Sequence, residues 1–377
     1  MNVLSLFNGM GGAGLALKEL NIKCQIYASE IDKYANQVSN ALLPDTINLG
    51  DVTKINVNEL PKIDLIIFGS PCQGFSFAGK MLNFEDPRSS LFFVANRILN
   101  ECRAINPNIK FLMENVEMTK ESENVITRFL GIDPLHINSN LVSAQNRKRL
   151  YWTNIGTVKN NLFGIEQIGI KQPKDRKIFL KDILEAEVDK KYFLSEKSVN
   201  TFNNPSGKNA GFGKNAGFKY KPISEFETSK AVTITARMHK GGRCDNWIVC
   251  NRATSKGGNH YEKSPTITGQ SWQNNNRIVQ LNKSNESNNS QPYQHNRVYD
   301  INYKSPCMDT DAGRKNVLVK SNVRRLTPLE VARLQTIPPW AIEIMLNCGV
   351  SDTQLYKMLG NGFTVEVIVW ILSHLKQ

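Results

Sequence analysis

Cys72 sits in the stretch Gly69-Ser70-Pro71-Cys72-Gln73-Gly74-Phe75-Ser76, directly after an apolar run at residues 63–68. A run of that length reads as a buried strand. In an open α/β sheet, ligands collect beyond the carboxyl ends of the strands. A thiol on that loop is therefore placed for nucleophilic chemistry, its plain alternative being a small buried cysteine. Glu114 follows a second apolar run, Phe111-Leu112-Met113. A buried carboxyl at that position would donate a proton near neutrality, and an ordinary loop acid is the alternative. Gln145, Arg147 and Arg149 alternate, so on a strand they share one face, suited to an anion or a carbonyl unless it is merely solvated.

Elements must bring these groups together. Residues 1–155 read as alternating strands and helices. A strand at 3–7 meets Asn8-Gly9-Met10-Gly11-Gly12-Ala13-Gly14, and a helix follows. Glycines let backbone approach a ligand, and the helix start offers free N–H groups. A second strand, 24–29, ends at Glu30, where a carboxylate suits a ribose diol, the alternative being a helix N-terminal acid beside Asp32. Asp51, after Gly50, suits an exocyclic amine. No Walker lysine follows any glycine turn, so the expected cofactor is a nucleoside without a polyphosphate. Residues 83–90 form a polar stretch suited to a lid.

The chain has 377 residues, 40% apolar and 21% charged, ordinary values for a globular protein with room for two domains. Seven cysteines include no CxxC pair, so neither a metal site nor a redox motif is expected. With no secretory signal and no apolar run read as long enough for a bilayer, a cytoplasmic protein without membrane contact is expected. Charge is unevenly distributed. Residues 159–323 hold 27 Lys and Arg against 15 Asp and Glu, nearly all of the net +13. That is the electrostatic footprint of nucleic-acid binding.

Taken in order, Phe7–Gly14, Glu30, Asp51, Pro71-Cys72-Gln73, Glu114-Asn115-Val116, Gln145-x-Arg147-x-Arg149, Arg325-Leu326-Thr327 with Glu330 and Arg333-Leu334-Gln335, and Gly360-Asn361-Gly362 resemble the DNA cytosine-5 methyltransferases. The resemblance implies an α/β, Rossmann-like S-adenosylmethionine-dependent methyltransferase fold with a mixed, mostly parallel sheet, plus a smaller β-rich target-recognition domain. It implies Cys72 as the nucleophile on carbon 6, Glu114 as the group that protonates the ring, and Arg147 and Arg149 beside the base. It implies S-adenosylmethionine at Phe7, Gly9, Gly11, Gly12, Glu30, Ile31, Asp51, Val52, Pro71, Leu91, Asn361 and Phe363. It implies a flipped base in double-stranded DNA, contacted by Gln73, Ser76, Arg88 and Gln145. No metal is implied. Two departures touch this chain's own site: Thr336-Ile337-Pro338 stands where Gly-Phe-Pro is frequent, and Gly362-Phe363-Thr364 where Ala or Ser followed by Val is frequent.

The expected division is a discontinuous catalytic domain, 1–158 with 345–377, around a basic target-recognition domain, 159–344. Within the latter, Gly207–Phe212 recurs as Gly213–Phe218. A longer repeat runs from Lys230, from Lys263 and from Lys304. Each unit reads as two short strands around a polar turn, the third ending at Asn316-Val317-Leu318-Val319. The first two tips carry Arg237, Lys240, Arg243, Gln270, Gln273 and Asn274, and Arg277 follows on the next strand; these side chain types pair with base edges, the alternative being a structural hairpin whose tips meet only solvent. The resemblance implies a monomer and leaves open a cognate restriction endonuclease, a bacterial or phage host, and the recognised sequence. A tRNA-directed cytosine-5 enzyme and an inactive DNA-binding relative are the alternative readings.

Overall fold

Parallel strands buried on both faces need uninterrupted apolar runs, and the first half of the chain supplies them. The computed structural model describes residues 1–70, 87–156, 158–160, 166–193, 298–299, 316–319 and 322–376; for 87–90, 158–160, 166–167, 298–299, 316–319, 322–323 and 376 it describes the backbone alone. The strands are β1 (Asn2–Leu6), β2 (Gln25–Ser29), β3 (Ile47–Asn48), β4 (Leu65–Phe68), β5 (Lys110–Val116), β6 (Leu135–Asn138) and β7 (Lys148–Thr153). They form one sheet in the order β3-β2-β1-β4-β5-β7-β6. All neighbours through β5 are parallel, and β7 runs antiparallel to both β5 and β6. This is the expected Rossmann-like arrangement. Strand order reverses between β1 and β4, and the crevice at such a switch point is where ligands bind. The registers Leu6↔Phe68 and Phe68↔Met113 bring the ends of β1 and β4 level with Met113 of β5.

Helices α1 (Gly12–Glu19), α2 (Lys33–Leu42), α3 (Pro87–Ile105) and α4 (Lys120–Leu130) join these strands. Asp32 starts α2 by accepting from Tyr34 N and Ala35 N. The C-terminal part adds α5 (Pro328–Leu334), α6 (Pro339–Asn347), α7 (Asp352–Asn361) and α8 (Val365–Leu372). Thr327 begins α5 with a capping box: its hydroxyl accepts from Glu330 N while Glu330 accepts from Thr327 N. The segment 352–375 has the length and composition of a membrane-crossing helix, contrary to the expectation of no such run, but it breaks at Gly362–Thr364 into α7 and α8. Half of its most apolar window is buried within the protein.

The division at residue 345 does not coincide with a gap in the core. Leu326, Val331, Leu334 and Ile342, together with Leu180 and Ile183, join the same buried cluster as Leu15 and Leu17 of α1 and Ile368 of α8. The expected boundary followed the motif spacing; apolar packing carries this core down to Leu326.

Two small sheets lie outside the large one. Strands β8 (Val158–Asn160) and β9 (Glu166–Ile168) pair antiparallel, while β10 (Val298–Tyr299), β11 (Asn316–Val319) and β12 (Asn322–Arg325) form the other. The last strand of the third repeat is thus β11. The remaining repeat units and the duplicated hexapeptide lie outside the described residues. Where the chain re-enters the core, Arg324 and Glu330 make a bidentate ion pair, Nη1 to Oε2 at 2.7 Å and Nη2 to Oε1 at 2.6 Å, with side chains 2% and 0% exposed.

Candidate active site

The turn after β1 is built for close approach. Phe7 has φ 54°, a left-handed conformation costly for an aromatic residue, and Gly9 and Gly11 follow with φ 57° and 91°. A Cβ on Gly9 would meet no atom within 4 Å, so the turn borders open space. Asn8 fixes the turn from beneath: its Oδ1 accepts from Ser5 Oγ, and its Nδ2 donates to Ser39 Oγ. Glu30 is held by three backbone N–H groups, Gly9 on Oε2 and Ile31 and Asp32 on Oε1, each at 2.8 Å. The carboxylate is thereby oriented beside the glycine turn with acceptor capacity left for hydroxyls.

Ile31 beside it is 78% exposed, an apolar side chain facing no protein partner sufficient to cover it. Asp51 accepts from Thr53 N and Thr53 Oγ1, and those hydrogen bonds hold its carboxyl below the usual range. A Cβ on Gly50 would also meet open space. Val52, Phe7 and Leu91 border the core cluster on this side of the sheet. Two oriented carboxylates, exposed apolar surface and an open glycine turn fit a nucleoside with a diol and an amine.

The second half of the site is set by strand register. Glu114 lies opposite Tyr151 and Val116 opposite Arg149, so Glu114 and Arg149 are diagonal neighbours on one face. They form an ion pair, Arg149 Nε to Glu114 Oε1 at 3.0 Å, with side chains 12% and 13% exposed. Glu114 lies within β5 rather than just past its end, because pairing with β7 extends the ladder to Val116. Asn115, 2% exposed, donates from Nδ2 to Ser70 Oγ at 3.3 Å. It ties β5 to the segment that leads into Cys72. A buried Asn in an apolar strand needs such a partner, a signal the motif reading left unused.

Gly69 joins the two halves. A Cβ there would lie 3.2 Å from Phe363 Cε1 and 3.3 Å from Glu114 Oε2. The same ring lies 3.4 Å from a Cβ built on Gly12. Phe363 therefore spans from the glycine turn to the end of β4, using space that two missing side chains leave.

Two residues expected at the site make buried contacts with the C-terminal part of the chain. Gln145 was expected at DNA, yet it is fully buried, and its Nε2 donates to Leu334 O and Gln335 Oε1, both at 3.3 Å. Arg147, expected beside the base, is 3% exposed and donates to Gly360 O at 3.2 Å and Gly362 O at 3.0 Å, among its contacts. The alternation that placed both with Arg149 holds only within a strand, and β7 begins at Lys148. Gln335, in the Arg333-Leu334-Gln335 motif, joins the same network. Its Nε2 donates to Leu359 O while its Oε1 accepts from Thr364 Oγ1, which also accepts from Ser139 Oγ. Asn361 is exposed at the end of α7.

Pro71, Cys72, Gln73, Ser76, Arg237, Arg243, Gln270, Gln273 and Arg277 lie outside the described residues. Arg88 is described only by the helical backbone of α3. Among the described residues, no cluster of three or more His, Cys, Asp or Glu has the arrangement of a metal site.

A model of the family described as C-5 cytosine-specific DNA methylase matches residues 1–377. The orphan methyltransferase M.SPRI of Bacillus phage SPR is 29% identical, over 100% of this chain and 97% of its own length. The type II methyltransferase M.NlaX of Neisseria lactamica is 32% identical, over 99% and 96% respectively. Among solved structures, the Entamoeba histolytica methyltransferase EhMeth shares the fold with a TM-score of 0.61 at 14% identity, over 100% of this chain and 97% of its own. The Dnmt2 methyltransferase of S. pombe does so with 0.56 at 16%, over 100% and 98%.

Proposed function

The chain belongs to the C-5 cytosine-specific DNA methylase family and is a DNA cytosine-5 methyltransferase, and we propose that Cys72, Glu114 and Arg149 carry its chemistry. Carbon 5 of cytosine is a weak nucleophile. The Cys72 thiolate adds to carbon 6, and the ring electrons move so that carbon 5 becomes enamine-like. Glu114 hydrogen-bonds and protonates the ring nitrogen, which neutralises the charge that addition creates. Arg149 orients Glu114 through the 3.0 Å ion pair and presents its guanidinium to the base carbonyl. After methylation, a base removes the proton on carbon 5, the bond to Cys72 breaks, restoring the thiolate, and the ring nitrogen returns its proton to Glu114. The target carbon is closed off in a stacked duplex, so the cytosine is flipped out to reach Cys72.

The family implies S-adenosylmethionine, which when bound supplies an electrophilic methyl group. The residues fit it. Glu30 takes the ribose diol and Asp51 the adenine amine. Ile31, Val52, Leu91 and Phe7 line the base, and Gly9, Gly11, Gly12, Pro71, Asn361 and Phe363 hold the methionine part. The observation that supports this reading is the junction at Gly69, where Phe363 and Glu114 come within 3.2 and 3.3 Å of the position a Cβ would take, on the segment that leads into Cys72.

Target recognition is assigned to the basic insert, residues 159–344, whose Leu180, Ile183, Leu326 and Ile342 pack into the catalytic core. Gln73, Ser76 and Arg88 contact DNA near the flipped base, and Arg237, Arg243, Gln270, Gln273 and Arg277 contact base edges. The enzyme acts as a monomer in the cytoplasm of a bacterial or phage-infected cell, with or without a cognate endonuclease; its relatives include both orphan and type II enzymes. Cys72→Ser tests the assignment: methyl transfer to duplex DNA falls to background while DNA binding is retained. Retained turnover would refute the nucleophile, and faster transfer to tRNA than to duplex DNA would refute the substrate.

A further inference from the structure

We propose that Arg147 is a positioning residue for the cofactor pocket: it locks the Gly360–Gly362 segment at the level where Phe363 meets Gly12 and Gly69. The carbonyls it grips are those at the end of α7, where a helix leaves acceptors unsatisfied and its dipole favours a cation. The planar guanidinium reaches two carbonyls two residues apart, at 3.2 and 3.0 Å, which a lysine ammonium on one stem does not match geometrically. Arg147 is itself anchored. Its backbone N donates to Asn138 Oδ1 at 3.0 Å, and its carbonyl accepts from Ser139 N at 2.9 Å.

The consequence runs along the chain on either side. Gly362 precedes Phe363, whose ring lies 3.4 and 3.2 Å from where Cβ atoms on Gly12 and Gly69 would sit. Arg149, two residues after Arg147, grips Glu114. One short stretch thus sets the C-terminal cofactor segment and the proton donor in a common frame. Neighbouring polar contacts make the segment stiff from its other side: Gln335 Nε2 donates to Leu359 O at 2.6 Å, and Ser139 Oγ donates to Thr364 Oγ1 at 2.8 Å. Without Arg147 the carbonyls of Gly360 and Gly362 lose a charged, two-pronged donor, and Phe363 loses the constraint that presses it between two glycines.

This rests on the reading that Phe363 belongs to the cofactor site. The test is a cycle on the full-length enzyme with Arg147→Lys, Phe363→Leu and the double variant. It measures S-adenosylmethionine affinity by calorimetry and KM against kcat in duplex methylation. Arg147→Lys is expected to raise the cofactor Kd and KM about tenfold while kcat falls less than threefold. The double variant is expected to be no worse than about twofold beyond the worse single, because both act through one segment.

Fully multiplicative effects, or a fall in kcat with cofactor affinity intact, would overturn the proposal and return Arg147 to the reacting base. If Phe363→Leu alone leaves cofactor affinity unchanged, the cofactor reading fails instead. Arg147→Ala with added methylguanidinium supplies a second route: partial recovery of affinity supports the clamp, and a folded variant that does not respond counts against it.

Discussion

Arg324→Met removes one partner from the ion pair that closes the re-entry of the chain into the core. Both side chains are at most 2% exposed, and the two contacts are 2.7 and 2.6 Å. Losing the cation leaves Glu330 buried with backbone donors only, Thr327 N at 2.9 Å and Glu185 N at 2.8 Å. Two unit charges about 4 Å apart interact by about 4 kcal/mol at an effective dielectric of about 20, and breaking buried pairs one-sidedly costs about 3–5 kcal/mol. That is a large share of the roughly 5–15 kcal/mol that holds a protein folded.

Arg324→Met combined with Glu330→Gln removes the charge and keeps an acceptor for one of the two backbone N–H groups, which donate to different oxygens of Glu330, while the amide NH2 faces the other. It is expected to recover part of the loss, leaving about 1–3 kcal/mol for the buried N–H that loses its acceptor. Urea unfolding followed by tryptophan fluorescence reads both values. A single variant that costs under about 1 kcal/mol, or a double variant no more stable than the single, would refute the view that an uncompensated buried charge governs this junction.

Glu114→Gln keeps the shape of the side chain but removes the acid; kcat should fall about 10²–10⁴-fold with cofactor affinity unchanged, measured by steady-state methylation and calorimetry. Gly69→Ala drives a methyl group against Phe363 and Glu114, 3.2 and 3.3 Å from its Cβ, and should reduce kcat/KM for DNA about tenfold to hundredfold while the melting temperature changes little. The Asp32 carboxyl is held below its ordinary value, chiefly by the hydrogen bond from Lys357 Nζ at 2.7 Å and then by Tyr34 N and Ala35 N. A lowered folded-state value means the stabilisation is present above the unfolded value and is lost as pH falls through the folded one. Asp32→Asn should therefore cost under about 1 kcal/mol near neutrality, the pair being partly exposed, and nothing in strong acid, as pH-dependent unfolding would read.

What was legible in the sequence follows from how local each constraint is. Strands β1, β2 and β4 appear as apolar runs because parallel strands are buried on both faces. Glu30 and the Thr327 cap are legible because a turn or a helix start dictates its residue within a few positions. The partners of Gln145 and Arg147 are not of that kind. They lie near Leu334 and Gly360, about two hundred residues away, and no local period encodes a contact that the fold closes. Alternation made Arg147 resemble Arg149, but the strand begins between them. The packing across residue 345 is hidden for a related reason: buried residues of α5 and α6 join the cluster that holds α1 and α8, and no local period encodes that contact. The strand β11 at 316–319 was legible as the end of a repeat because Val-Leu-Val carries a strand pattern of its own.

The central claim is that Cys72 bonds covalently to the cytosine that is methylated. Duplex DNA with fluorine at carbon 5 of cytosine has no proton there to lose, so addition and methylation proceed and release does not. Incubation with the full-length enzyme and S-adenosylmethionine, followed by denaturing separation and peptide mapping, should give a stable protein–DNA adduct whose cross-linked peptide contains Cys72. An adduct mapped to another residue, or none from an enzyme that methylates the unfluorinated duplex, would contradict the account.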